Sequence, residues 1–190
     1  MKLVVGTHNT HKIAELSRIL GPLLPGVGLL AAVGEAPVED GPTFYANALI
    51  KARAAHHDSG LPAIADDSGI EVGALGGAPG VLSARYSPSG KDEDNTALLI
   101  TAMEGVADRR VAFVCAAAYV FEGEEFVIER RWEGTLATRP QGAGGFGYDP
   151  VFIPEGHQRS AAEFSPNEKD QLSHRGKAFR ALAPLIAQRL

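Results

Sequence analysis

Two aspartates, Asp66 and Asp67, stand side by side in "AIADDSG", where an apolar run meets a serine and a glycine. Neighbouring residues of a strand point to opposite faces, so the two carboxylates are expected to do different work. One is suited to hold a metal ion or to act as a general base. The other is suited to bond lysines or backbone and fix the turn. The same residues also make an ordinary Asp-Ser-Gly turn, and both readings stand at this point. A second acidic segment, "PVEDG", puts Glu39 and Asp40 just ahead of a helix that carries Lys51. These carboxylates are either partners of the helix dipole or a further ligand for a hard divalent cation such as Mg2+. That ion takes one or two carboxylates and leaves its other positions to phosphate and water. Lys51 by itself reads as a solvated helix lysine.

Positive charge comes from other segments. "GTHNTHK" follows an apolar strand and opens a helix, which is the layout of a phosphate-binding loop, yet it has one glycine where a Walker loop has two. Thr10 is expected to cap that helix and to set Lys12 in its first turn, where the dipole opposes a cation by ~0.3–1 kcal/mol. A solvated lysine is one reading. The other is an anion held by Lys12, the side chains of Thr7 and Asn9, and backbone N–H groups, with His8, Thr10 and His11 beside it. In "EKDQLSHRG", Ser173 is expected to cap the last helix with His174 and Arg175 in its first turn, and Lys169 stands nearby. "GGFGYDP" surrounds two aromatics with glycines. Phe146 or Tyr148 could stack on a flat base, with Gly147 and Asp149 beside them, or the segment is a tight turn with a buried aromatic anchor.

Other groupings are weak. His8 with His11, or His56 with His57, lack the third ligand of a zinc set. No G-x-S-x-G elbow is present, and Cys115 sits inside an apolar run, so covalent nucleophilic catalysis has no candidate. Among 190 residues, 18 lysines and arginines face 23 aspartates and glutamates, a formal charge of −5 without a basic run. Broad binding to a nucleic-acid backbone is therefore not expected, whereas a small anionic ligand is compatible. One cysteine fits a reducing compartment. No signal peptide or membrane span is expected, which predicts a cytoplasmic protein.

The elements that must position these residues follow from apolar spacing. A strand over residues 2–6 leads to a helix with Ile13, Leu16, Ile19 and Leu20 on one face. "VGLLAAV" is a second strand. A helix capped by Thr43 and closed by Gly60 follows, then a short strand "PAIAD" with "GIEV" beside it. "GALGGAPGVLSARYSPSG" is too rich in glycine and proline for regular structure. A helix around Leu98, Leu99, Ala102 and Met103 precedes two long β-rich segments joined at Gly123, which read as an antiparallel hairpin. A glycine-rich loop and a last helix with Phe179, Leu182, Leu185 and Ile186 complete the chain. Early strand–helix alternation and a late hairpin predict an α/β fold with a mixed sheet, with no linker between independent domains across 1–190.

Two acidic segments, three basic ones and an aromatic glycine loop together describe a site for a nucleoside triphosphate with Mg2+. The stretches "THNTHK", "ANALIKAR", "AIADDSGIEV", "GGAPGVLSARYS", "GGFGYDPVF" and "EKDQLSHRGKA", running from Thr7 to Ala178, resemble the inosine triphosphate pyrophosphatase family in its own motif order. The resemblance implies hydrolysis of non-standard purine nucleoside triphosphates (ITP, dITP, XTP) to the monophosphate and pyrophosphate, with Mg2+. It implies two lobes around a long curved mixed sheet flanked by helices, an active site in the cleft between them, and a homodimer. The family's Ser/Thr-x-Asn-x-x-Lys opening falls on Thr7, Asn9 and Lys12 as triphosphate contacts. Its acidic loop falls on Glu39, and its helix lysine on Lys51. The paired aspartates make Asp67 the base and metal ligand and Asp66 its support, with Ser68 touching substrate. Phe146 to Asp149 would read the base, with Lys169, His174 and Arg175 completing the set. His8 departs from the family, where glycine is common. Relatives of this kind that act on modified pyrimidine nucleotides, and a non-catalytic nucleotide-binding module, are the alternatives.

Overall fold

The structure, a computed structural model, describes residues 1–189. Its strands are β1 (Lys2–Val5), β2 (Gly28–Ala31), β3 (Ala63–Val72), β4 (Arg110–Phe121), β5 (Glu124–Leu136) and β6 (Phe152–Pro154). They form a mixed sheet in the order β2-β1-β3-β4-β5-β6. β1 runs parallel to both β2 and β3, and β5 is antiparallel to β6. The α-helices are α1 (Thr10–Leu20), α2 (Phe44–Ser59), α3 (Asp92–Ala102), α4 (Pro166–Leu172) and α5 (His174–Ala187). This is an α/β fold, as the alternation of segments predicted. No helix among the described residues is long and apolar enough to cross a membrane. The chain divides into two compact units: Met1–Asp67, Cys115–Arg130 and His174–Leu190 in one, Ser68–Val114 and Arg131–Ser173 in the other.

In the first unit, Leu3, Val4 and Val5 are all buried, because a parallel strand covered on both faces reads as a continuous apolar run. On one face Leu3, Val5, Ile64, Cys115 and Tyr119 pack with Leu16 and Leu20 of α1 and Phe179 and Leu182 of α5. On the other, Val4 and Ala63 meet Ala55 of α2. α2 is capped by Thr43, whose side chain accepts the Ala46 N–H, and closed by Gly60 at φ 66°. α1 differs from expectation. Asn9, not Thr10, is its N-cap, because the Asn9 side-chain Oδ1 accepts the N–H groups of both His11 and Lys12. The hairpin turns at Glu122 and Gly123, with φ of 47° and 84°. Two positive φ values in a two-residue loop match the twist of the flanking strands.

The second unit has its own core of Ile70, Val72, Leu99, Met103, Phe113, Trp132 and Phe152. Four features of the chain were not anticipated. "PAIAD" and "GIEV" are one continuous ten-residue strand, β3, so Asp66 and Asp67 lie inside a strand and not at a turn. Side-chain partners satisfy their charge, and the chain has no need to bend toward water. The glycine- and proline-rich stretch after β3 contains short 3-10 turns at Gly73–Leu75 and Gly80–Arg85. Ser83 ties the second of these to β3 by accepting the Ile70 N–H at 2.9 Å. The short strand β6 and the separate helix α4, started by a reciprocal Ser165–Glu168 cap, also stand where loop was expected.

Gly134 shows how tightly β6 is seated. A Cβ there would lie 2.4 Å from the Ile153 carbonyl oxygen and 2.8 Å from the Phe152 ring. Gly134→Ala is therefore expected to destabilise the protein by about 1–3 kcal/mol, because backbone must move to admit the methyl group. Urea unfolding monitored by the fluorescence of Trp132, whose ring centroid is 5.0 Å from that of Phe152, measures the loss.

Candidate active site

Strand alternation separates the two aspartates. Asp66 shares its face of β3 with Ile64, the face covered by α1 and α5, and Asp67 shares its face with Ala63, the face covered by α2. On the first face, Asp66 Oδ2 accepts from Arg175 Nε at 3.2 Å and Nη2 at 3.1 Å, and Lys12 Nζ lies 3.1 Å away. Arg175 Nη1 also donates to Glu15 Oε2 at 2.5 Å. Two cations thus meet two carboxylates, and the group is formally neutral. Burial alone would depress the Arg175 guanidinium, but Asp66 and Glu15 outweigh it and raise its pKa above the ordinary arginine value. His174, next to Arg175 at the start of α5, is likewise buried.

On the second face, Lys51 Nζ donates to Glu39 Oε2 and to Asp67 Oδ1, each at 2.8 Å. Asp67 Oδ2 accepts from Asn47 Nδ2 at 3.3 Å. Gly6 lets β1 approach α2 at this point, since a Cβ on it would meet the Lys51 carbonyl oxygen at 2.8 Å. Burial works against the Lys51 ammonium, yet Asp67, Asp66 and Glu39 together raise its pKa, so it stays charged. Burial raises the Asp67 carboxyl, against the pull of Lys51 and with the charge of Glu39 adding to the rise. Asp67 is therefore a more basic carboxylate than one in water. Asp40, beside Glu39, is exposed.

Two carboxylates around one ammonium leave this trio with a formal charge of −1. That surplus and the all-oxygen donor set fit a hard divalent cation such as Mg2+. Among the described residues, no group of three or more His, Cys, Asp or Glu side chains is gathered as a metal cage; Glu39 and Asp67 are a pair.

The loop before α1 is organised by its own side chains. Thr7 Oγ1 accepts the Asn9 N–H at 3.2 Å, and His8 Nε2 meets the Gly34 carbonyl oxygen at 3.1 Å. Because Asn9 already takes the N–H groups of His11 and Lys12, an anion here would rely on side-chain donors more than on those two amides. Thr10 and His11 are exposed on the first turn. Ser68, one residue beyond Asp67 in β3, is half-buried.

In the second unit, Asp149 Oδ2 accepts from Lys169 Nζ at 2.5 Å and from the Phe146 N–H at 2.9 Å. Gly145, at φ 71°, leaves room for this contact, since a Cβ on it would strike the Asp149 carboxylate. Lys169 Nζ lies 4.5 Å from the Phe146 ring centroid, and the ring is half-buried. Gly147 gives its N–H to Asp92 Oδ2 at 2.6 Å. Tyr148 is different. It is buried, its hydroxyl donates to the Ser83 carbonyl at 2.8 Å, and it acts as an anchor with no open face for stacking.

A family model described as the Ham1 family matches residues 3–185. The chain belongs to the Ham1 family. A dITP/XTP pyrophosphatase of Mycobacterium bovis is 51% identical over 193 aligned residues, covering 97% of this chain and 95% of the relative. The crystal structure of a nucleoside-triphosphatase / dITP/XTP pyrophosphatase from Mycobacterium abscessus is 48% identical and covers 98% of this chain and 100% of that one, with a TM-score of 0.77. A HAM1 protein from Coxiella burnetii, 35% identical with 99% of each chain covered, superposes with a TM-score of 0.86. The family expected from the motifs is the family found.

Two residues of this Ham1-family chain had escaped sequence reasoning. Glu15 lies three positions after Lys12 on the face of α1 that buries Leu16 and Ile19, and an acid on an apolar face was its only signal. Asn47 falls on the buried stripe Phe44, Asn47, Ala48, Lys51, Ala52, Ala55, whose helical spacing also marks Lys51 as buried and not solvated. Arg175, 2% exposed, is the shared partner of two buried acids. Arg175→Met is therefore expected to cost about 3–5 kcal/mol, because it leaves Asp66 and Glu15 buried with reduced compensation. Chemical denaturation of the variant against the wild type measures it.

Proposed function

We propose that this chain hydrolyses non-standard purine nucleoside triphosphates (ITP, dITP and XTP) to the monophosphate and pyrophosphate, with Mg2+, and so removes them from the nucleotide pool. The observation that carries the reading is the trio Glu39–Lys51–Asp67, an electron-rich oxygen pair with its own ammonium. Relatives named dITP/XTP pyrophosphatase, matched over nearly their whole length, support the substrate class. Glu39 and Asp67 are the proposed Mg2+ ligands. Mg2+ held there supplies charge neutralisation and polarises a phosphoryl oxygen.

Asp67 orients the attacking water and takes its proton, a role that its raised basicity suits. Lys51 keeps that carboxylate in place and offsets charge on phosphate oxygens. Lys12, the Thr7 hydroxyl and the Asn9 Nδ2 donor contact the triphosphate, with His8, Thr10 and His11 lining the same loop and Ser68 following Asp67. Asp66 supports Lys12 and Arg175.

In the second unit, the Phe146 ring with Lys169 is the proposed stacking surface for a purine, and Gly147 and Asp149 shape its loop; Tyr148 anchors it. A donor directed at the purine 6-position favours an oxo group and disfavours the amino group of adenine. Contacts ill-suited to a 2-amino group exclude guanine. His174 and Arg175 complete the proposed set. The buried single thiol Cys115 is compatible with the cytoplasm, and the family resemblance supports a homodimer, which sedimentation measures.

A panel of nucleoside triphosphates with pyrophosphate detection, with and without Mg2+, tests the activity. ITP, dITP and XTP are expected to be turned over well ahead of ATP and GTP, and only with the metal. Fast turnover of UTP or dTTP alone points instead to a pyrimidine enzyme. Binding of ITP without release of pyrophosphate points to a binding module. Asp67→Asn is expected to lower kcat by roughly 10²–10⁴-fold with the fold retained, the range of a lost general base. Near-wild-type turnover in that variant removes Asp67 from the role.

A further inference from the structure

Glu39 and Asp67 come from segments far apart in the chain; Lys51 bridges their carboxylates, and the Asn47 amide bridges Asp67 to the backbone of the stretch that carries Glu39. Asn47 is 1% exposed and lies one turn before Lys51 on the buried face of α2. Its Oδ1 accepts the Gly41 N–H at 2.8 Å, and its Nδ2 donates to Asp67 Oδ2 at 3.3 Å. A backbone N–H can only donate and an ionised carboxylate can only accept, so this position needs one acceptor and one donor in a single group. Asparagine supplies both. Aspartate would set a third carboxylate against Asp67, and leucine would strip both partners of a hydrogen bond. Gly41 is shaped to the same contact: a Cβ there would lie 2.6 Å from Asn47 Oδ1 and 2.8 Å from the Ala46 methyl.

The stretch 32–42, which carries Glu39, contains neither helix nor strand. Ala32 at its start packs beside Val4, Ala55 and Ala63, but Val33 and Val38 are 69% and 78% exposed and do not pin the part that carries Glu39 by packing. The hydrogen bond at Gly41, two residues past Glu39, ties this stretch to the buried face of α2. The same amide engages Asp67 Oδ2, while Oδ1 faces Lys51.

We infer that Asn47 is a positioning residue that sets Glu39 and Asp67 as a matched pair of cation ligands. It acts through Asp67 and the Gly41 backbone and touches neither metal nor substrate. The inference rests on the metal-dependent hydrolysis proposed above and deepens it.

Two variants disturb the joint from opposite sides: Asn47→Leu removes the amide, and Gly41→Ala pushes the loop off it. Mn2+ binding to each, without nucleotide, is measured by electron paramagnetic resonance, and kcat and KM for ITP are measured alongside circular dichroism spectra. Each variant is expected to bind Mn2+ about 10–100-fold more weakly, the usual effect of losing a group that orients a metal ligand. The metal concentration for half-maximal rate rises in parallel, and the circular dichroism spectrum does not change. Gly41→Ala, in a loop, decides the matter if Asn47→Leu does not fold. Wild-type Mn2+ affinity in either folded variant overturns the inference while leaving the activity standing. Wild-type protein that binds no Mn2+ and turns over no ITP overturns the functional reading, and this inference with it.

Discussion

A carboxylate taken out of water stays ionised only if cations and hydrogen bonds replace its hydration, and β3 buries two at consecutive positions. The pleat turns them to opposite faces, so one set of partners cannot serve both. Asp66 is met by Arg175 from α5 and Lys12 from α1, and Asp67 by Lys51 and Asn47 from α2. The first unit is arranged around that requirement. Each helix that covers the sheet next to β3 brings a charged or amide group to it, and each of those groups sits among apolar or alanine neighbours that fix its position.

The two faces differ in charge balance, and the difference has a chemical consequence. Around Asp66 the charges cancel, which suits its proposed role as a support. Around Asp67 they do not, and the surplus negative charge together with a basic carboxylate suits the proposed roles of cation ligand and base. Lys12 illustrates how neighbours settle a local conflict. Its position against the α1 dipole looked like a place for phosphate, but Asp66, 3.1 Å away, already answers the charge. The proposed phosphate contacts of Thr7, Asn9 and Lys12 therefore do not follow from any need to satisfy the helix end.

Much of the fold was legible because its signals are local. The caps Thr43 and Gly60, the apolar run of β1 and the turn at Gly123 each follow from a few adjacent residues. The continuous course of β3 was not, since Asp-Ser-Gly reads as a turn unless the partners that keep it extended are known. Asn9 displaced Thr10 as a cap because its side-chain amide oxygen, three bonds from the Cα, reaches two backbone N–H groups at once. Phe146 and Tyr148 are aromatics two residues apart, and only packing separated the buried anchor from the half-buried ring.

The sequence determined the α/β class and which segments carry acids, cations and aromatics, and its motifs in their order resemble one family, because motif order and residue type survive without coordinates. Tertiary structure decided the pairing. Which cation answers which carboxylate depends on the face each strand residue presents and on which helix covers that face. Glu15 and Asn47 could enter only at that level: each looks like an ordinary helix residue until the buried group opposite it is seen.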